Sequence, residues 1–121
     1  MAAGTAGAAD AQTARVAGIA GYLSEWEFSG ELQRNGVDSD EFRGSLTWKH
    51  VGLCSVNGPE EKSGDVTIEI SRTRPAPEIH VAFRFDGAQC RYNGPLSENS
   101  RGHMDCSDAR GIPLALSIRV Q

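Results

Sequence analysis

Hydrophobic and polar residues alternate along most of the chain from Tyr22 onward, which is the period of a β-strand with one buried face. The clearest stretch has apolar side chains at Ile79, Val81, Phe83 and Phe85. Further segments repeat the pattern with Trp26, Phe28 and Leu32; Phe42, Leu46 and Trp48; Val66, Ile68 and Ile70; Cys90, Tyr92 and Leu96; and Ile112, Leu114, Leu116, Ile118 and Val120. The pattern predicts an all-β domain.

Short connections and recurrent glycines indicate how these strands are arranged. Asp86-Gly87 is a favoured two-residue hairpin turn, and glycines near strand starts permit the curvature that closes a sheet. We therefore predict a small antiparallel up-and-down barrel of about seven to eight strands, with a β-sandwich as the alternative. In general pattern the chain resembles the lipocalin-like and avidin-like barrels. The lipocalin Gly-x-Trp motif is absent, because Ser24-Glu25 precede Trp26.

The first part of the chain has a different composition. Residues 1–21 are rich in Ala and Gly and contain no run of β-branched residues, so we expect a disordered or loosely ordered segment followed by one barrel domain over residues 22–121. Ala9-Asp10-Ala11 resembles the small residues that precede a signal-peptidase cleavage site, but no basic region followed by an apolar region occurs before it. An Ala-rich tail without that history is the alternative.

The motif Cys-x-x-Asn-Gly-Pro occurs twice, beginning at Cys54 and at Cys90, and both copies are typical of β-hairpins. If the chain reverses around Glu98, Cys90 lies opposite Cys106 on the next strand, and we predict a disulfide between them. Cys54 is then either buried or available for an intermolecular bond. A disulfide favours a periplasmic or secreted protein, whereas three reduced, buried cysteines would fit a cytoplasmic one.

Several functional classes lack support in the sequence. The net charge is −4 and the basic residues are scattered, which argues against nucleic-acid binding. No apolar run approaches the roughly 20 residues of a membrane-spanning helix. The histidines His50, His80 and His103 do not have metal-site spacing, and no phosphate-binding loop occurs. We predict no catalytic residue, metal ion or cofactor.

Aromatic side chains on the buried phase of the strands are the candidate binding residues of the barrel interior: Trp26, Phe28, Trp48, Phe83, Phe85 and Tyr92. We expect a non-enzymatic, exported or envelope-associated barrel that binds a small apolar ligand or a protein partner. If these side chains fill the lumen, the alternative is an interaction or structural module. A hydrolase-type enzyme would require a pocket that unites Asp86, Arg91 and His103. The pattern assigns no oligomeric state.

Overall fold

The computed structural model is a closed antiparallel barrel in which eight strands follow one another in sequence order. The structure describes residues 13–36, 40–51, 61–72, 76–85 and 87–120. The strands are β1 (Thr13–Ala20), β2 (Trp26–Arg34), β3 (Glu41–His50), β4 (Glu61–Ser71), β5 (Glu78–Phe85), β6 (Ala88–Pro95), β7 (Asn99–Cys106) and β8 (Ile112–Val120). The antiparallel barrel that the sequence predicts is confirmed, and the β-sandwich is excluded.

The barrel interior is filled by side chains over most of its length. Alternate residues of each strand point inward, as the sequence pattern predicts, and the largest of them are fully buried: Trp48, Phe42, Phe83, Leu32, Leu46, Ile68 and Ile79. Strands β1, β3, β5 and β7 all finish at one end of the barrel, which we call the Trp26 end after the first residue of β2. Eight-stranded barrels have interiors just wide enough for such side chains.

Strand β1 corrects the expectation for the first part of the chain. Residues 13–20 pair with β2 on one side and with β8 on the other, so they are an integral part of the barrel wall. Ala14, Val16 and Ala20 are buried. The barrel therefore includes residues that we assigned to the loosely ordered segment 1–21, whereas residues 1–12 lie outside the described residues.

Gly18 of β1 lies where there is no room for a side chain. A Cβ atom on Gly18 would collide with the Ala115 carbonyl oxygen and with the Phe28 ring. The Ala- and Gly-rich composition, which we interpreted as a sign of disorder, therefore fits a strand that faces a large aromatic side chain.

The predicted cysteine register is also confirmed. Cys90 lies opposite Cys106, and the two form a disulfide across β6 and β7 with their Cα atoms 3.9 Å apart. Ser107 N–H donates to the Gln89 carbonyl, which makes the adjacent cysteines a non-hydrogen-bonded pair, the type in which side chains are closest. Beyond Arg91–Asp105, β6 and β7 have no further paired residues, so the disulfide lies in the least paired seam of the wall.

Of the two copies of the Cys-x-x-Asn-Gly-Pro motif, one lies within the described residues. The copy beginning at Cys90 forms most of β6 and pairs with β5, where Phe83 faces Cys90 and Phe85 faces Ala88. The copy beginning at Cys54, together with that cysteine, lies outside the described residues, as does Asp86 of the predicted turn.

Loss of the disulfide should destabilise the barrel strongly. The double variant Cys90→Ser/Cys106→Ser should lose about 3 kcal/mol, because the unfolded chain is no longer restrained by a closed loop. This corresponds to a fall in Tm of roughly 10–20 °C, measurable by circular dichroism without reductant. Reduced wild-type protein is the matched control and should melt near the variant. Equal midpoints for the variant and the oxidised wild type would contradict a stabilising bridge.

Strand β1 should be sensitive to a polar group at its inward positions only. Val16→Thr introduces a hydroxyl at a fully buried position and should cost about 1–3 kcal/mol of unfolding free energy, because no hydrogen-bond partner replaces water there. Ala17→Thr, one residue away on the exposed face, should change stability by less than about 0.5 kcal/mol. Urea unfolding measures both; equal effects would mean that β1 is not packed as described.

Candidate ligand site at the barrel mouth

Five of the six candidate aromatic residues form one connected cluster near the Trp26 end. The register of the sheet explains why: Phe28 on β2 lies directly opposite Trp48 on β3, and their ring centroids are 4.7 Å apart. Both rings also contact Phe83, which comes from β5 across the lumen, at 5.7 and 5.5 Å. The inward phase of three strands therefore converges on a single aromatic layer.

The cluster becomes more exposed toward the mouth of the barrel. Phe28, Trp48 and Phe83 are almost completely buried, whereas Trp26 and Phe85 are half-buried at the rim. Phe85 stacks on Trp48 with centroids 4.5 Å apart, and the Trp26 ring meets Phe85 edge to face at 5.3 Å. These contacts hold the rim rings in place from below, so the aromatic surface at the mouth is preformed.

A cavity of about 210 Å³ opens between these rings and the adjoining connections. Its walls are mainly aromatic and aliphatic. The lining residues are Ala20, Gly21, Tyr22, Glu25, Trp26, Trp48, Phe83, Phe85, Ala88, Cys90, Met104, Cys106, Asp108, Ala109 and Ile112. Four of the six candidates therefore line it, while Phe28 lies in the packed layer beneath. An apolar cavity of roughly 150 Å³ is enough to bind benzene, so this one accommodates a single small ring or a short alkyl chain.

Tyr92 is separate from this cavity. Its buried ring covers two glycines in the seam between β6 and β7: a Cβ on Gly94 would lie 2.6 Å from Tyr92 Cζ, and one on Gly102 would lie 2.7 Å from Cε1. The side chain thus fills the gap where the strands are no longer paired. The structure gives Tyr92 a packing position, although the sequence grouped it with the other candidate ligand residues.

The connections around the mouth contribute side chains that the sequence analysis did not single out. The Tyr22 hydroxyl donates to the Arg110 carbonyl at 2.7 Å, which ties the β1–β2 connection to the β7–β8 connection. Glu25 accepts a hydrogen bond from Leu23 N–H at 2.9 Å. Glu25 and Asp108 both line the cavity. Only closure of the barrel brings these connections together, so no local pattern signals them.

Two basic groups lie near the rim rings without lining the cavity. The Lys62 Nζ atom, on β4, is 5.8 Å from the Trp26 ring centroid and 5.9 Å from that of Phe85. His50 meets Trp26 edge to face, with centroids 4.8 Å apart. The rim rings therefore already interact with a cation of the chain itself.

A larger depression, about 680 Å³, lies on the outer wall across β7, β8, β1, β2 and β3 and includes Glu61 of β4. Small outward side chains such as Ala17, Ala115 and Ser117 form part of its floor, and Lys49 and Arg101 lie among its lining residues. It follows the solvent-facing side of the sheet rather than the lumen, and it contains no aromatic cluster. It is a concave part of the outer wall, separate from the cavity at the Trp26 end.

Of the three residues that the enzyme alternative would unite, Asp86 lies outside the described residues. Arg91 and His103 are exposed on β6 and β7, and neither lines the cavity. Among the described residues, no three His, Cys, Asp or Glu side chains lie together as a metal site would require. The Asn35 amide, which donates to Glu41 at 2.7 Å, lowers the pKa of that carboxyl, but Glu41 lies at the opposite end of the barrel.

No described segment forms a helix long and apolar enough to cross a membrane. No protein-family model, curated protein or solved structure matches the chain, so the functional interpretation rests on the geometry of the barrel mouth.

Proposed function

We propose that the protein is a non-enzymatic binding barrel that holds a small apolar ligand in the cavity at its Trp26 end. The observation that carries this proposal is the preformed cavity of about 210 Å³ with aromatic walls. A site of this kind, apolar with a few polar groups at its edge, is the usual form of a small-molecule pocket. Its small volume limits the ligand to about one ring, unlike the open lumen of larger carrier barrels.

The disulfide supports an exported or envelope-associated location for this binding protein. Cys90 and Cys106 are joined across β6 and β7, and such bonds persist in the periplasm and outside the cell. The same bond forms part of the cavity wall. An oxidising compartment would therefore keep both the wall and the ligand site intact.

The second candidate function is an interaction module that uses the outer wall. The packed lumen and the depression of about 680 Å³ on the solvent-facing side favour it. In that case the aromatic layer only supports the barrel wall, and small apolar ligands should not bind at the mouth.

A variant with a larger side chain in the cavity should distinguish the binding barrel from the interaction module. Toluene should bind the wild-type protein with a Kd on the order of 0.1–1 mM, as expected for a ligand of so few atoms, and calorimetric titration would measure it. Ala88→Leu adds three carbons to the cavity wall and should weaken binding about tenfold or more, because they occupy the space that the ligand needs.

The matched control is Ala82→Leu, the same substitution at an exposed position on β5, which should leave toluene binding unchanged. Thermal melts would establish that both variants are folded. Absence of toluene binding to the wild-type protein, or equal binding by Ala88→Leu, would contradict the ligand-carrier function and favour the interaction module.

A further inference from the structure

The charged side chains on the cavity lining are both acidic. Among the described residues that form the lining, Glu25 and Asp108 carry charge, and no lysine, arginine or histidine is present. They come from the β1–β2 and β7–β8 connections, which are neighbours because β1 pairs with β8. The two carboxylates therefore belong to the same side of the mouth.

Hydrogen bonds hold in position the two connections that carry these acidic residues. Tyr22 and Arg110 join the two connections by a hydrogen bond, and Gly21 N–H donates to the Pro113 carbonyl at 3.0 Å. Glu25 is half-buried, and its bond from Leu23 N–H uses Oε1, which leaves Oε2 without a hydrogen bond from a described residue. Asp108 is exposed and makes no ion pair with a described residue.

The aromatic side of the mouth already has a cation of the chain beside it. Ring faces attract positive charge through their quadrupoles, and the Lys62 ammonium already lies within 6 Å of the Trp26 and Phe85 centroids. Lys62 belongs to β4, which is half the barrel away from β8, and it is not on the lining. A ligand ammonium is therefore favoured on the side of the carboxylates, away from Lys62, while the rings take an apolar body.

We propose that the ligand is a small organic cation, an ammonium group on an aromatic or short alkyl body; this inference rests on the proposed function of the cavity. The apolar body packs between Trp26, Phe85 and Trp48, and the ammonium lies toward Glu25 and Asp108 at the rim. Because the charge stays near water, the site does not have to bury an ion completely.

Three probes of similar size and different charge test this inference. Benzylamine, an ammonium at pH 7, should bind roughly tenfold more tightly than benzyl alcohol, and benzoate should bind most weakly. Calorimetric titration at low ionic strength would measure all three. Added salt should reduce the preference, because it screens the charges at the rim.

Charge-removing variants assign the preference to the two acids. Glu25→Gln/Asp108→Asn should reduce the benzylamine preference to about twofold or less and leave benzyl alcohol binding unchanged. Gln retains the oxygen that accepts from Leu23 N–H. Glu31→Gln/Glu69→Gln also removes two charges, from exposed positions on β2 and β4, and should keep the full preference, which controls for net charge.

The possible results are distinguishable. Equal affinities for the three probes, or tightest binding of benzoate, would overturn the cationic ligand while the cavity remains a binding site. A benzylamine preference that survives in the Glu25→Gln/Asp108→Asn variant would overturn the role of the two acids. Failure of all three probes and of toluene would overturn the proposed function itself, and this inference with it.

Discussion

Closure of the sheet between β1 and β8 is the constraint on which the rest of the molecule depends. Closure pairs the first strand with the last, so neither β1 nor β8 is left as an open edge of the sheet. It also limits the lumen to a width that side chains fill. The lumen must hold large rings from β2, β3 and β5 within that width. Gly18 of β1 has no side chain, and the Phe28 ring occupies the space that a Cβ atom would need. The small residues of β1 and the aromatic layer are therefore two parts of one packing solution.

The same packing places the cavity at one end. Toward the opposite end from Trp48, buried side chains, Phe42 among them, fill the interior, so the described residues leave no room for a ligand there. At the Trp26 end the layer finishes with half-buried rings, and the connections form a collar around them. The Cys90–Cys106 bond lies in this collar and joins the two strands that are least paired. The disulfide thus stabilises the contact between β6 and β7 and also forms part of the wall of the mouth.

The sequence predicted the parts of the fold whose buried face alternates with polar residues. Strands β2 to β6 and β8 have that period, and β7 is placed by the hairpin register that sets Cys106 opposite Cys90. Strand β1 escaped prediction because Ala and Gly give little contrast between faces and are equally typical of loose segments. Glu25 and Asp108 escaped because they are far apart in the chain, and their approach depends on closure rather than on local pattern.

The position of the cavity at the rim affects which chemistry suits the ligand that we propose. A wholly buried pocket would impose a large desolvation penalty on a charged ligand, and a ligand without charge would make no use of the acidic side chains at this mouth. At the rim, an apolar body can leave water and pack on Trp26 and Phe85 while its charged group stays hydrated beside Asp108. The free energy of apolar burial then supplies affinity, and the weaker, partly screened attraction to the carboxylates supplies selectivity. A barrel too narrow to enclose a carrier ligand can in this way still discriminate between ligands by charge.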